Sequence, residues 1–154
     1  MNQWLRRILL LSGFVAIAAV AFLGARYWQS VQAQYTRIAP LAGCDLRTGP
    51  CRVALAGGSL TFAIVPQDIP LMQPLRLIVS TEGLGVRRAV VEVRGRDMNM
   101  GLNRSVLEPT ADGRWEGETI LPVCSQTRME WEAAVRLDAG ERYEVPFVFD
   151  TTRP

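Results

Sequence analysis

The chain has 154 residues, 49% hydrophobic and 21% charged, with 17 basic residues that are all arginine, 15 acidic ones and no histidine. Its formal charge of +2 excludes the basic footprint of a nucleic-acid-binding protein. The missing histidine removes the usual general base, Ser-His-Asp and Cys-His catalysis, and the commonest zinc and Cu(II) ligand, so the chain reads as a non-enzyme.

The first element is apolar. Ile8 to Ala25 carries no charge, and at roughly 1.5 Å per helical residue it covers about 27 Å of hydrocarbon. Trp4 precedes the run and Tyr27 and Trp28 follow it, where amphipathic rings sit at headgroup level, and Arg6 and Arg7 lie on the short side. Residues 1–28 are therefore expected to be a single-pass transmembrane anchor with a cytoplasmic N-terminus. A cleaved signal ending near Val31-Gln32-Ala33 is the competing reading, and both export the rest of the chain. Leu41-Ala42-Gly43-Cys44 has the look of a lipoprotein box, but the polar segment from Arg26 to Pro40 separates it from the apolar run.

Residues 29–43 read as a polar stalk stopped by Pro40. Residues 44–154 then change to short β-type runs: Arg52 to Ala56, Ser59 to Val65, Leu75 to Thr81, Arg88 to Arg94, Ser105 to Glu108, Trp115 to Leu121, Met129 to Leu137 and Tyr143 to Phe149. Gly57-Gly58, Pro66 to Pro74, Gly83 to Gly85, Asp112-Gly113 and Ala139-Gly140 punctuate them. Alternation places Met129, Trp131, Ala133, Val135 and Leu137 on one face, and Glu130 and Glu132, like Glu116 and Glu118, on a solvated one. The expected fold is all-β, an immunoglobulin-like two-sheet sandwich tethered by one N-terminal helix.

Three cysteines in an exported domain make one disulfide and one leftover. Cys44 and Cys51 enclose a short loop ending in Gly-Pro, and closing it stabilises the fold by about 2 kcal/mol in the chain-entropy model. Cys124 remains, either as a small buried hydrophobe or as an occupied thiol. Met98 and Met100, in GRDMNMGLN, stand at i and i+2, which in extended chain points both side chains to one side. Core filling is the ordinary use of such residues. Their polar surroundings argue instead for presentation from a loop, and two thioethers with a thiolate suit Cu(I) over zinc, calcium or magnesium. Met129 is a further candidate ligand, although its apolar face favours the core, and Met72 in the Pro70 to Pro74 loop ranks below it.

The apolar span, CDLRTGPC, DMNMG, LPVCSQTRMEW and the closing VPFVFDT together resemble a group of proteobacterial membrane-anchored periplasmic β-sandwich proteins found with Sco-type copper chaperones and cytochrome oxidase assembly factors. More distantly the plan is similar to FixH and YtkA-like proteins. The resemblance implies an inner-membrane protein with a periplasmic domain that binds Cu(I) through Met98, Met100 and Cys124. It further implies copper handling or oxidase assembly, with a Sco-type chaperone or an oxidase subunit as partner. Periplasmic Cu(I) chaperones combine Met with His, which this chain lacks, and Sco-type proteins use a CxxxC that it also lacks. The alternative is a non-metal interaction module of an inner-membrane complex, in which the methionines form an adaptable apolar contact.

Overall fold

The computed structural model describes residues 3–31, 35–98, 101, 103–123 and 125–153, with the side chains of 5–10 and 27–31 outside the description. The chain forms two compact units, Met1–Gln34 and Tyr35–Pro154. The first holds one helix, α1 (Gln3–Val31). Leu11, Phe14, Ile17, Val20 and Phe22 are all exposed along it. Over the described residues no helix is long and apolar enough to cross a membrane. Ile8 to Leu10, the start of the expected span, lie outside the described side chains.

The second unit is built almost wholly of strands: β1 (Thr36–Arg37), β2 (Cys51–Leu55), β3 (Gly58–Val65), β4 (Pro74–Glu82), β5 (Arg88–Gly95), β6 (Asn103–Pro109), β7 (Trp115–Ile120), β8 (Arg128–Ala139) and β9 (Glu141–Thr152). Their order is β1-β9-β8-β5-β6-β7-β4-β3-β2, and every pairing but the parallel β1–β9 is antiparallel. The sheet curls on itself at β6, whose first residues pair with β5 while Glu108 and Pro109 pair with β7. Phe62 of β3 and Phe147 of β9, far apart in strand order, consequently meet with ring centroids 5.1 Å apart. Between the two halves lies one core of alternating inward residues, among them Leu60, Leu77, Val91, Trp131 and Val145.

The eight strand segments expected from alternation correspond to β2–β9, with β8 and β9 running longer because Gly140 alone, at φ +88°, turns the corner between them. β1 is new. Within the expected stalk 29–43, α1 continues to Val31, residues 32–34 lie outside the described residues, and from Tyr35 the chain belongs to the β unit. Its attachment is concrete, since Thr36 and Arg37 pair with Tyr143 and Glu144, and the Ile38 amide donates to the Glu144 carbonyl at 2.9 Å. Cys44 and Cys51 form a bonded pair with Cα atoms 5.9 Å apart, which fixes the segment after β1 to the start of β2.

Candidate functional site

The β5–β6, β7–β8 and β3–β4 loops gather at one end of the β unit, opposite the end where the chain enters at Tyr35. Antiparallel pairing dictates this, because Pro74 aligns with Ile120 and Gly95 with Trp131. Side chains then tie the loop roots together. Asn103, which opens β6, donates from Nδ2 to the Ile120 carbonyl at 2.8 Å and accepts from the Thr119 hydroxyl at 2.9 Å. Asp97 accepts from the Glu130 amide at 3.3 Å, the Arg96 amide donates to the Glu130 carbonyl at 2.9 Å, and the Arg96 and Glu130 side chains pair at 2.8 Å. The stretch holding Met98 and the stretch holding Cys124 are thereby fastened at their roots to neighbouring strands.

The candidate ligands fall differently. Met98 is on the surface, 37% exposed. Gly101 has φ +80°, the left-handed conformation that lets the chain turn after the methionine pair. Met100 and Cys124 lie outside the described residues. Met129 is 2% exposed on the inward face of β8, aligned with Thr151 and enclosed in the core. The periodicity that put it beside Trp131 is what buries it, so a metal could reach its sulfur only by unpacking the core. Among the described residues no group of three His, Cys, Asp or Glu side chains is arranged to hold a metal ion.

Comparison of the chain with protein-family models, with curated proteins and with solved structures gives no match. The resemblance drawn from the apolar span, CDLRTGPC, DMNMG, LPVCSQTRMEW and VPFVFDT accordingly stands on the sequence alone.

Two features escape a reading of the sequence. On the outer face of β9, β8 and β5, Glu144, Glu132 and Glu92 are buried, where alternation predicts a solvated Glu132. Four arginines cover them. Arg37 reaches Glu144 and donates to both oxygens of Glu132 at 2.8 and 3.0 Å, and Arg94 meets Glu132 at 2.5 Å. Arg136 bridges Glu92 at 2.5 Å and Glu144 at 2.8 Å, and Arg104 stands 3.7 Å from Glu92. The Tyr35 ring lies 5.3 Å from the Arg136 guanidinium, a cation–π contact. Burial pushes the Glu132 and Glu144 carboxyls upward, but hydrogen bonds and charge from Arg37 and Arg94 on the one, and Arg136 and Arg37 on the other, hold both below the ordinary glutamate range. The signal that could have shown this is the register of Arg37 against the Glu144 strand, which no local pattern discloses.

The second feature is a cavity of about 560 Å³ between the β3–β4 loop and the end of β9. Ile69, Met72, Val123, Asp150 and Arg153 are among its walls. The segment 121–127 is secured on both sides of it. Met72 donates its amide to the Leu121 carbonyl at 2.9 Å, and Arg153 donates its own to Thr127 at 2.8 Å.

Proposed function

We propose that the protein is a membrane-tethered, exported β-sandwich of immunoglobulin-like type that binds one Cu(I) through Met98, Met100 and Cys124 and serves copper handling or cytochrome oxidase assembly. The observation that carries this reading is the convergence of the β5–β6 and β7–β8 loops at one end of the unit, with Asn103 and Asp97 pinning their roots. Thioethers stay unprotonated at any ordinary pH and bind soft metals through individually weak bonds, which suits ligand exchange with a partner at an exposed loop. An oxidising compartment agrees with the Cys44–Cys51 bond, and the uncharged run from Ile8 to Ala25 behind Arg6 and Arg7 supports an inner-membrane anchor with the β unit in the periplasm. A Sco-type chaperone or an oxidase subunit is the partner this reading proposes.

The test is anaerobic competition of the detergent-solubilised full chain against a chromogenic Cu(I) chelator. Wild type should withdraw one equivalent of copper. Met98→Leu/Met100→Leu and Cys124→Ser should each withdraw markedly less. Equal uptake by all three, or none by wild type, rejects the copper site.

A second reading has its own support. Met72, Ile120 and Val123, near the same end, are exposed hydrophobic side chains, which is the kind of residue an adaptable protein-contact surface uses. Under that reading the chain takes no copper, and the same titration separates the two.

A further inference from the structure

The outer edge of β9 is only partly covered. The Arg153 amide donates to the Thr127 carbonyl, and in an antiparallel pair bonded and non-bonded partners alternate, so Thr151, Phe149 and Phe147 direct their backbone groups at β8. Val148, Asp150 and Thr152 therefore turn theirs the other way. Glu144 has the same parity: its carbonyl accepts from the Ile38 amide, just after the two paired residues of the parallel β1. Pro146 has no amide to offer. Among the described residues, no other backbone group bonds Val148, Asp150 or Thr152 on that side. We propose that this part of the β9 edge takes an extended peptide of a partner protein as an added strand, with one of the peptide's apolar side chains in the adjoining cavity of about 560 Å³.

The ligand class follows from the repeat. Donor and acceptor recur at every second residue, about 6.8 Å apart at the rise of an antiparallel strand, and an extended polypeptide carries complementary groups at that spacing. β1 shows that the edge accepts one, in parallel sense, at Tyr143 and Glu144. The cavity adds a place for a side chain. Asp150, Thr152 and Arg153 form one of its walls and Ile69 and Met72 another, and its volume is within the ~300–1,000 Å³ of ligand-holding clefts. Ile69 and Met72 stand at φ +46° and +58°, in the left-handed region that disfavours side chains, β-branched ones most. Ile69 is held there by burial in the core and by a 3.2 Å hydrogen bond from its amide to the Pro66 carbonyl, Met72 by its 2.9 Å bond to Leu121. That wall is thus shaped before anything binds, and backbone strain of this kind collects at binding sites. The proposal does not depend on copper.

The test uses the full chain in detergent micelles and a displayed library of random linear peptides. In the free chain, amide hydrogen exchange should be fast at Val148, Asp150 and Thr152 and slow at Phe147, Phe149 and Thr151; a selected peptide should slow the first three. Its binding should weaken at least about tenfold with Val148→Pro, at a position where, as at Pro146, no amide is needed by β8. Met72→Asp, which charges the cavity wall in a backbone conformation that aspartate tolerates, should weaken it as much. So should N-methylation of one of the two alternating sets of peptide residues, a comparison made on the wild-type chain and hence independent of any variant's folding. A library that yields no binder, a bound peptide that leaves the three amides fast, or binding unaffected by Val148→Pro and by N-methylation overturns the proposal. Slow exchange at the three amides in the free chain overturns it too, and where that protection grows with protein concentration the occupant of the edge is a second copy of this chain.

Discussion

Arg136 Nε lies 2.8 Å from Glu144 Oε2 on the outer face of the β8–β9 hairpin, and the same guanidinium reaches Glu92 on β5 at 2.5 Å. One side chain thus links three strands. Both carboxylates are buried, and burying a charge is tolerable only when it is paired.

Removing Arg136 should therefore cost more than removing Arg37. Without Arg136, Glu92 keeps only Arg104, at 3.7 Å, among the described residues, so the substitution leaves a nearly unpaired buried carboxylate. Without Arg37, Glu132 still has Arg94 and Glu144 still has Arg136. We expect Arg136→Ala to destabilise the β unit by about 3 kcal/mol, in the range for breaking a buried pair. Arg37→Ala, half-exposed, should cost about 1 kcal/mol. Urea unfolding of both variants measures the difference, and equal losses would show that the network does not discriminate between its arginines.

Acid should unfold the β unit through the same groups. Glu132 and Glu144 are held below their unfolded values, so the folded state binds fewer protons than the unfolded one at mildly acidic pH. Their contribution is complete above the ordinary glutamate value of about 4.3 and is lost as pH falls through the lowered folded values. Stability measured from pH 7 to 3 should be flat to about pH 5 and then decline. Glu132→Gln should shallow that decline while lowering stability at neutral pH, where Arg37 and Arg94 lose their charged partner.

Reduction gives a separate handle on the segment that enters the sheet. The Cys44–Cys51 bond closes a short ring, worth about 2 kcal/mol by loop-closure entropy. Cys44→Ser/Cys51→Ser should lower the unfolding free energy by about that amount with β2 still paired to β3. Hydrogen exchange should rise chiefly at residues 44–51. Thiol labelling of the oxidised full chain should modify neither Cys44 nor Cys51, and labelling of either would break the assignment.

Much of this architecture is legible from alternation and turn residues, because strand identity is a local property: Met129, Trp131, Ala133, Val135 and Leu137 announce the inward face of β8. The same rule mislabels Glu132 as solvated. Its error is physical, since alternation says which face a residue takes and not what lies across that face. Arg37 arrives there from 95 residues away in sequence, carried by a two-residue strand with no apolar pattern. The place of Met72 beside Leu121 is illegible for a similar reason. Its proximity to Leu121 follows from the β4–β7 pairing, and strand order is not readable from one sequence. The methionine pair, by contrast, is recognised by its spacing and polar setting, while the burial of Met129 follows from the periodicity of β8 itself.

Asn103 offers the sharpest test of whether the loop roots matter. It is the only described side chain that bonds β7 at both Thr119 and Ile120, donating to the Ile120 carbonyl and accepting from the Thr119 hydroxyl. Thr119 is buried, so Asn103→Ala strips a buried hydroxyl of its acceptor and should cost about 1–3 kcal/mol. Asn103→Asp retains an acceptor for Thr119 but gives up the donor and sets a charge against the Ile120 carbonyl, so it should fall between wild type and the alanine variant. If Cu(I) is held between the two loops, both substitutions should weaken copper binding with Met98, Met100 and Cys124 untouched, the alanine more than the aspartate. The measurement is chelator competition alongside urea unfolding for each variant. A stability loss with unchanged copper affinity would mean that the roots serve the fold alone, and the loops would then hold their ligands by some contact other than Asn103.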